Sequence, residues 1–190
     1  MLSQALSVFD FLKIKYPKHN PRFALCIIPM FVGVLFAIFG FYLSHQNVII
    51  FTHERFGDIF AFLAVLPGFY IASLAAVSAI NKIAIDEIIN KDSNPPYLIK
   101  REPNRPETYQ QPLTRRLFLS MLFAYLATVS LFLTLTLIGI RFYFAVFLNA
   151  MPTIIVLAIC YFLVFFLLTQ ILLLTLVGIS YLGYKSLANN

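Results

Sequence analysis

The sequence predicts an all-α, polytopic membrane protein with four transmembrane helices in two hairpins, preceded by a short amphipathic helix. Three observations carry this. Charged residues make up only 12% of a chain that is 61% hydrophobic, against about 25% charged in a soluble domain. The mean hydropathy is +0.86. Finally, Phe23 to Ser44, Ile59 to Ile80, Leu117 to Ile140 and Thr153 to about Tyr184 contain no Lys, Arg, Asp or Glu. Each run is long enough for the helix of about 20 residues that a hydrocarbon core of about 30 Å requires. Backbone groups in lipid must be satisfied internally, so uncharged runs of this length are helices. The period-2 alternation of a barrel strand is absent.

Residues 1–22 form the first element. Leu2, Leu6, Phe9, Leu12 and Tyr16 recur at spacings of three and four, with Ser3, Gln4, Ser7 and Lys15 on the other side. Lys13 falls at the edge of that stripe and Phe11 among the polar residues. The pattern predicts a short amphipathic helix on the membrane surface, ended by Pro17 and Pro21. The segment lacks a basic start, and no small-x-small site follows the first apolar run, so a cleaved signal peptide is not expected.

The first hairpin, residues 23–80, is rich in small residues. Gly33, Ala37 and Gly40 lie on neighbouring turns of the first span, and Ala61, Ala64, Gly68, Ala72, Ala75, Ala76 and Ala79 run along the second. Small residues let helices approach closely in lipid. The expected role is packing within the subunit, the alternative a face for self-assembly into a homo-oligomer. Pro67–Gly68 predicts a kink in the second span.

Residues 81–116 are the loop between the hairpins. Asn81 to Lys91, with Ile83, Ala84, Ile85, Ile88 and Ile89, is expected to continue the second helix by about two turns. Pro95, Pro96, Pro103, Pro106 and Pro112 then forbid helix and predict an extended, polyproline-like path. Thr114 is the expected N-cap of the third span. Arg115 and Arg116, with Arg22 ahead of the first span, are expected to anchor the chain at lipid headgroups. The loop can be a plain linker. As the one sizeable water-exposed segment on its side it is also the candidate docking site for a partner, with Tyr97, Lys100, Arg101, Arg105 and Tyr109 as the contact residues.

The second hairpin, residues 117–184, precedes a tail of residues 185–190. It carries Thr128, Ser130, Thr134 and Thr136 in the third span and Thr169 and Gln170 near the centre of the fourth. Interhelical hydrogen bonding is the expected role of Thr134, Thr169 and Gln170, and a weakly polar pore lining the alternative. The spans hold no Asp, Glu, His or Arg of the kind ion-coupled carriers use, and the halves show no convincing repeat.

Twelve of the fourteen basic residues fall before the first span, between the second and third, or after the fourth; only Arg55 and Arg141 fall on the other side. By the positive-inside rule both termini and the loop face the cytoplasm. The net charge of +6 is read first as this topology signal. His19, His45 and His53 match no metal-ligand spacing, Cys26 and Cys160 lie inside spans, and no nucleophile elbow, phosphate-binding glycine loop or CxxC pair is present. No enzymatic activity, cofactor, metal or small-molecule substrate is expected.

The stretches FLAVLPGFY (residues 62–70) and LTRRLFLSMLFAYL (residues 113–126) give the chain a resemblance. It resembles the small transmembrane effectors of bacterial retron anti-phage systems. The resemblance implies an inner-membrane toxin kept silent by a reverse transcriptase with its DNA–RNA product. When a phage disables the cell's DNA-repair machinery, such an effector is released, damages the membrane and aborts the infection. The rival expectation is a non-toxic membrane scaffold or subunit of a larger complex.

Overall fold

The computed structural model describes residues 7–17, 22–46, 49–54, 56–80, 83–89, 94–101, 108–146 and 154–182. Four long helices dominate it: α1 (Arg22–His45), α2 (Phe56–Ala79), α3 (Arg115–Val146) and α4 (Ile154–Ser180). Among the described residues these are the helices long and apolar enough to cross a membrane. They follow the uncharged runs but extend past them at the ends: α2 includes Asp58, and α3 begins at Arg115 and continues through Arg141. The Arg141 guanidinium sits over the Phe60 ring of α2, 5.9 Å from its centroid, so the charge is accommodated on the helix. At about 1.5 Å per residue, Arg115 and Arg141 are about 39 Å apart. That is close to the roughly 40–45 Å thickness of a bilayer with its headgroup regions included.

Antiparallel neighbours build the bundle as a row, in the order α1, α4, α3, α2. The expected second hairpin is therefore a packed pair. The first is not: α1 and α2 follow one another in the chain, yet among the described residues each packs along a different partner. The reason lies in the α1 glycines. Gly33 faces Phe162 and Gly40 faces Tyr161 of α4, and Phe36 stacks on Phe165 with ring centroids 3.7 Å apart. A glycine notch filled by an aromatic ring makes more dispersion contact than two small-residue faces laid together. Phe51, in a 3₁₀ turn at Ile50–Thr52, pins the crossing loop. It is fully buried, stacks on Tyr161 at 4.6 Å and meets Phe56 edge-on. The Tyr161 hydroxyl accepts a hydrogen bond from the Ile50 N–H at 3.1 Å.

The α3 helix is the centre of the row, with 44% of its span window buried in the protein, whereas only 11% of the α2 window is. The α2 helix runs unbroken through Pro67 and Gly68, and α1 likewise contains Pro29.

At the opposite end from the Phe51 loop the chain departs from expectation three times. The α2 helix stops at Ala79 instead of continuing two turns; a single turn at Ile83–Asp86 follows. Arg116 caps this end: it donates to the Ile80 carbonyl at 2.7 Å and reaches that of Ser78 at 3.4 Å, satisfying carbonyls that a helix end leaves unpaired. The chain then turns back, with Ile89 N–H donating to Leu113 O and Arg115 N–H to Glu87 O. The proline-rich strip is not an isolated polyproline path. It forms an antiparallel hairpin of β1 (Tyr97–Arg101) and β2 (Thr108–Pro112), with Tyr97 opposite Pro112 and Lys100 opposite Tyr109. Pro112 is tolerated because it occupies a pair whose ladder groups point outward, where no N–H toward β1 is needed.

The N-terminal element is the third departure. Its described part is a 3₁₀ turn, Ser7–Lys13, and not an α-helix. Leu2 and Leu6 lie outside the described residues. Phe11 and Ile14 are buried, while Phe9 and Leu12, which the sequence places on the apolar stripe, are largely exposed, although Phe9 still meets Tyr125 edge-on at 6.1 Å. Phe11 packs on Phe118 and Tyr125 of α3, with centroids 6.0 and 5.5 Å apart.

Candidate functional site

The hairpin end of the row gathers chemistry from four segments. Lys15 joins the sheet edge through a single bridge: its N–H donates to Tyr97 O at 2.9 Å, and Tyr97 N–H donates back at 3.1 Å. Leu98 and Leu113 are buried beneath the hairpin and fix it to the bundle. Thr114 caps α3 as expected, accepting the Leu117 N–H on its hydroxyl at 3.3 Å. A shallow groove of about 220 Å³ opens beside the hairpin, lined by Pro17, Asn94, Pro95, Tyr97, Gln110 and Pro112.

The charges of this end divide into two groups. Arg116 is held by Asp86, with Nε 2.8 Å from Oδ1, in addition to the α2 carbonyls. Arg115 lies 3.9 Å from Glu87. Both arginines are partly enclosed, and Arg116 fastens the end of α2 to the start of α3. Lys13 is paired with Asp10 at 2.7 Å. Lys15 and Lys100 are exposed, and no acidic partner faces them among the described residues. Ile99 and Tyr109 are also largely exposed, at 47% and 49%. Of the expected docking residues, the hairpin thus brings Lys100 and Tyr109 together as a cross-strand pair. Tyr97 is turned half inward against the Lys15 segment. Arg101 occupies the last position of β1, and Arg105 lies outside the described residues. Arg22 begins α1.

Several polar residues of the spans have hydrogen-bond partners. Tyr125 of α3 and Gln170 of α4 are both buried within the bundle. Thr134 donates to Ser130 O at 2.9 Å and reaches Leu63 O of α2 at 3.4 Å. Thr169 bonds the Phe165 carbonyl of its own helix. Tyr70 of α2 and Thr175 of α4 share a hydrogen bond. These groups tie α2, α3 and α4 across the row. Ala37 is half-buried on α1 between Gly33 and Gly40, both buried. Gly68 is different: a Cβ there would meet nothing within 4 Å. With Ala61, Ala64, Ala72, Ala75, Ala76 and Ala79 it forms an exposed small-residue face along the outer side of α2.

Sequence reasoning missed Tyr161, Tyr70, Tyr125 and Gly178. Gly178 lets α4 close on Leu122 and Phe123. A tyrosine inside an uncharged run needs a hydrogen-bond partner, and that signal was available in the sequence for all three tyrosines. Among the described residues no group of three or more His, Cys, Asp or Glu is placed to hold a metal ion. Compared with protein-family models, with characterised proteins and with solved structures, the chain finds no match.

Proposed function

We propose that the protein is a membrane-disrupting effector of a bacterial abortive-infection system, restrained by a cytoplasmic partner at the hairpin end and depolarising the inner membrane, as a homo-oligomer, on release. The observation that carries this reading is the hairpin end itself. On a molecule otherwise faced with lipid, it presents exposed Lys15, Lys100, Ile99 and Tyr109, while its other described ion pairs hold the fold. The resemblance supplies the partner's class, a reverse transcriptase with its DNA–RNA product. The small-residue face of α2, unused within the subunit, supplies a way to assemble. Placing the hairpin in the cytoplasm rests on the distribution of basic residues.

The test has two arms. Expressed alone, the protein should collapse the signal of a potential-sensitive dye and arrest growth; normal growth and potential, with the protein confirmed in the membrane, would eliminate the effector. Replacing residues 94–111 by a Gly/Ser linker should leave insertion intact and abolish co-purification of the partner. A second reading, a non-toxic scaffold in a larger complex, is favoured by the engagement of Thr134 and Tyr70 in interhelical bonds, which leaves those groups committed to packing.

A further inference from the structure

The hairpin has an edge that the fold only begins to use. Pro96, Leu98 and Lys100 direct their ladder groups toward β2: Leu98 pairs with Gln111, Lys100 with Tyr109, and Leu113 N–H donates to Pro96 O. Alternation along a strand then turns the N–H and C=O of Tyr97, Ile99 and Arg101 to the other side. Tyr97 is satisfied there by Lys15. An antiparallel continuation of the N-terminal segment would place Lys13 opposite Ile99, but the chain leaves the sheet at Ile14, which is buried, and enters the 3₁₀ turn. Among the described residues nothing pairs with the outward groups of Ile99, whose side chain is 47% exposed. The outer edge of β2 is less inviting, because Pro112 stands in it and has no N–H.

We infer that an extended, acidic segment of a partner protein adds to β1 as an antiparallel strand, pairing with Ile99 and Arg101 in line with Lys15. This rests on the reading of the hairpin end as a docking surface and specifies how docking occurs. The charge at the site favours an acidic strand. Lys15 and Lys100 flank the open stretch, whereas the carboxylates of Asp10, Asp86 and Glu87 already face Lys13, Arg116 and Arg115. The groove adds a means of selection. Tyr97, Gln110 and Pro112, which line it, share the hairpin face of Ile99. The added strand's residue opposite Ile99 therefore points to the face on which the groove opens, and a large apolar side chain there has Pro17, Pro95 and Tyr97 to pack against. Main-chain pairing at a sheet edge supplies affinity and pockets for alternate side chains supply specificity, as in other strand-addition complexes.

The experiment uses the full chain in nanodiscs of neutral phosphatidylcholine and a fluorescent peptide of alternating Glu and Val as probe. The peptide should bind, and an isomer carrying proline in place of alternate valines should not. Ile99→Pro removes the outward N–H while leaving the bonds to β2, and should weaken binding about tenfold; Ile99→Val should not. Lys15→Glu with Lys100→Glu, both on exposed side chains that leave the fold intact, should weaken it by a similar factor and favour a Lys–Val peptide. Equal binding of the proline isomer, or no effect of Ile99→Pro and of the charge reversal, overturns strand addition. So does failure of the peptide to bind while the charge reversal lowers affinity for vesicles containing phosphatidylglycerol, which would make this surface a headgroup site. Partner co-purification separates the two levels. If the Gly/Ser replacement of the hairpin abolishes it and Ile99→Pro does not, docking stands and strand addition fails; if neither matters, the docking reading itself fails.

Discussion

Glycine at position 40 and glycine at position 68 look alike in the sequence, each within an apolar run and in register with other small residues. The structure separates them. A Cβ at Gly40 would overlap the ring of Tyr161, whereas one at Gly68 meets nothing within 4 Å. Gly40→Leu should therefore drive α1 away from α4 and lower the stability of the purified protein by about 1–3 kcal/mol, the usual cost of overpacking, read as a lower unfolding midpoint in detergent. Gly68→Ala should be neutral or stabilising by up to about 1 kcal/mol, because alanine is the better helix former. Spacing alone identified both as contact positions. It could not say what each contacts, since the aromatic rings that fill the α1 notches come from a helix more than a hundred positions away in the chain.

Among the elements, the long helices were legible and the hairpin end was not. An uncharged run of twenty residues has one solution in lipid, so hydropathy finds it wherever it occurs. The 3₁₀ turn, the hairpin and the stop at Ala79 depend on contacts between segments: Lys15 with Tyr97, Glu87 with Arg115, Arg116 with Ile80. No periodicity encodes these. The inverted face of the N-terminal turn is the clearest instance, because Phe11 is drawn inward by Phe118 and Tyr125 of α3, which no local period encodes. Phe11→Ala should consequently cost about 3 kcal/mol or more of docking and expose residues 7–17 to protease in the folded protein. Phe9→Ala, at a position 40% exposed, should leave the cleavage rate close to wild type. The opposite ranking would restore the stripe read from the sequence.

At the scale of the whole molecule, the row order leaves α2 packed mainly against α3, with Tyr70 reaching Thr175 of α4, and an outer face of Ala61, Ala64, Gly68, Ala72, Ala75 and Ala79 toward lipid. If assembly underlies depolarisation, this face is where copies meet, because the glycines of α1 are already filled by Phe162 and Tyr161. The discriminating substitution is Gly68→Leu. It has room within the subunit, so the unfolding midpoint of the monomer should not fall, yet it places a branched side chain in the centre of the small-residue face. Association through such faces rests on close backbone approach. A loss of about 1–2 kcal/mol lowers the association constant by about tenfold, which should appear as loss of the cross-linked oligomer in membranes and a matching loss of dye response in cells. Ile71→Leu, on the same helix at an exposed position outside the stripe, should change neither. Full depolarisation by the Gly68→Leu protein, with its oligomer intact, would remove α2 as the assembly face. Loss of the oligomer with depolarisation retained would show that single copies suffice to perturb the bilayer.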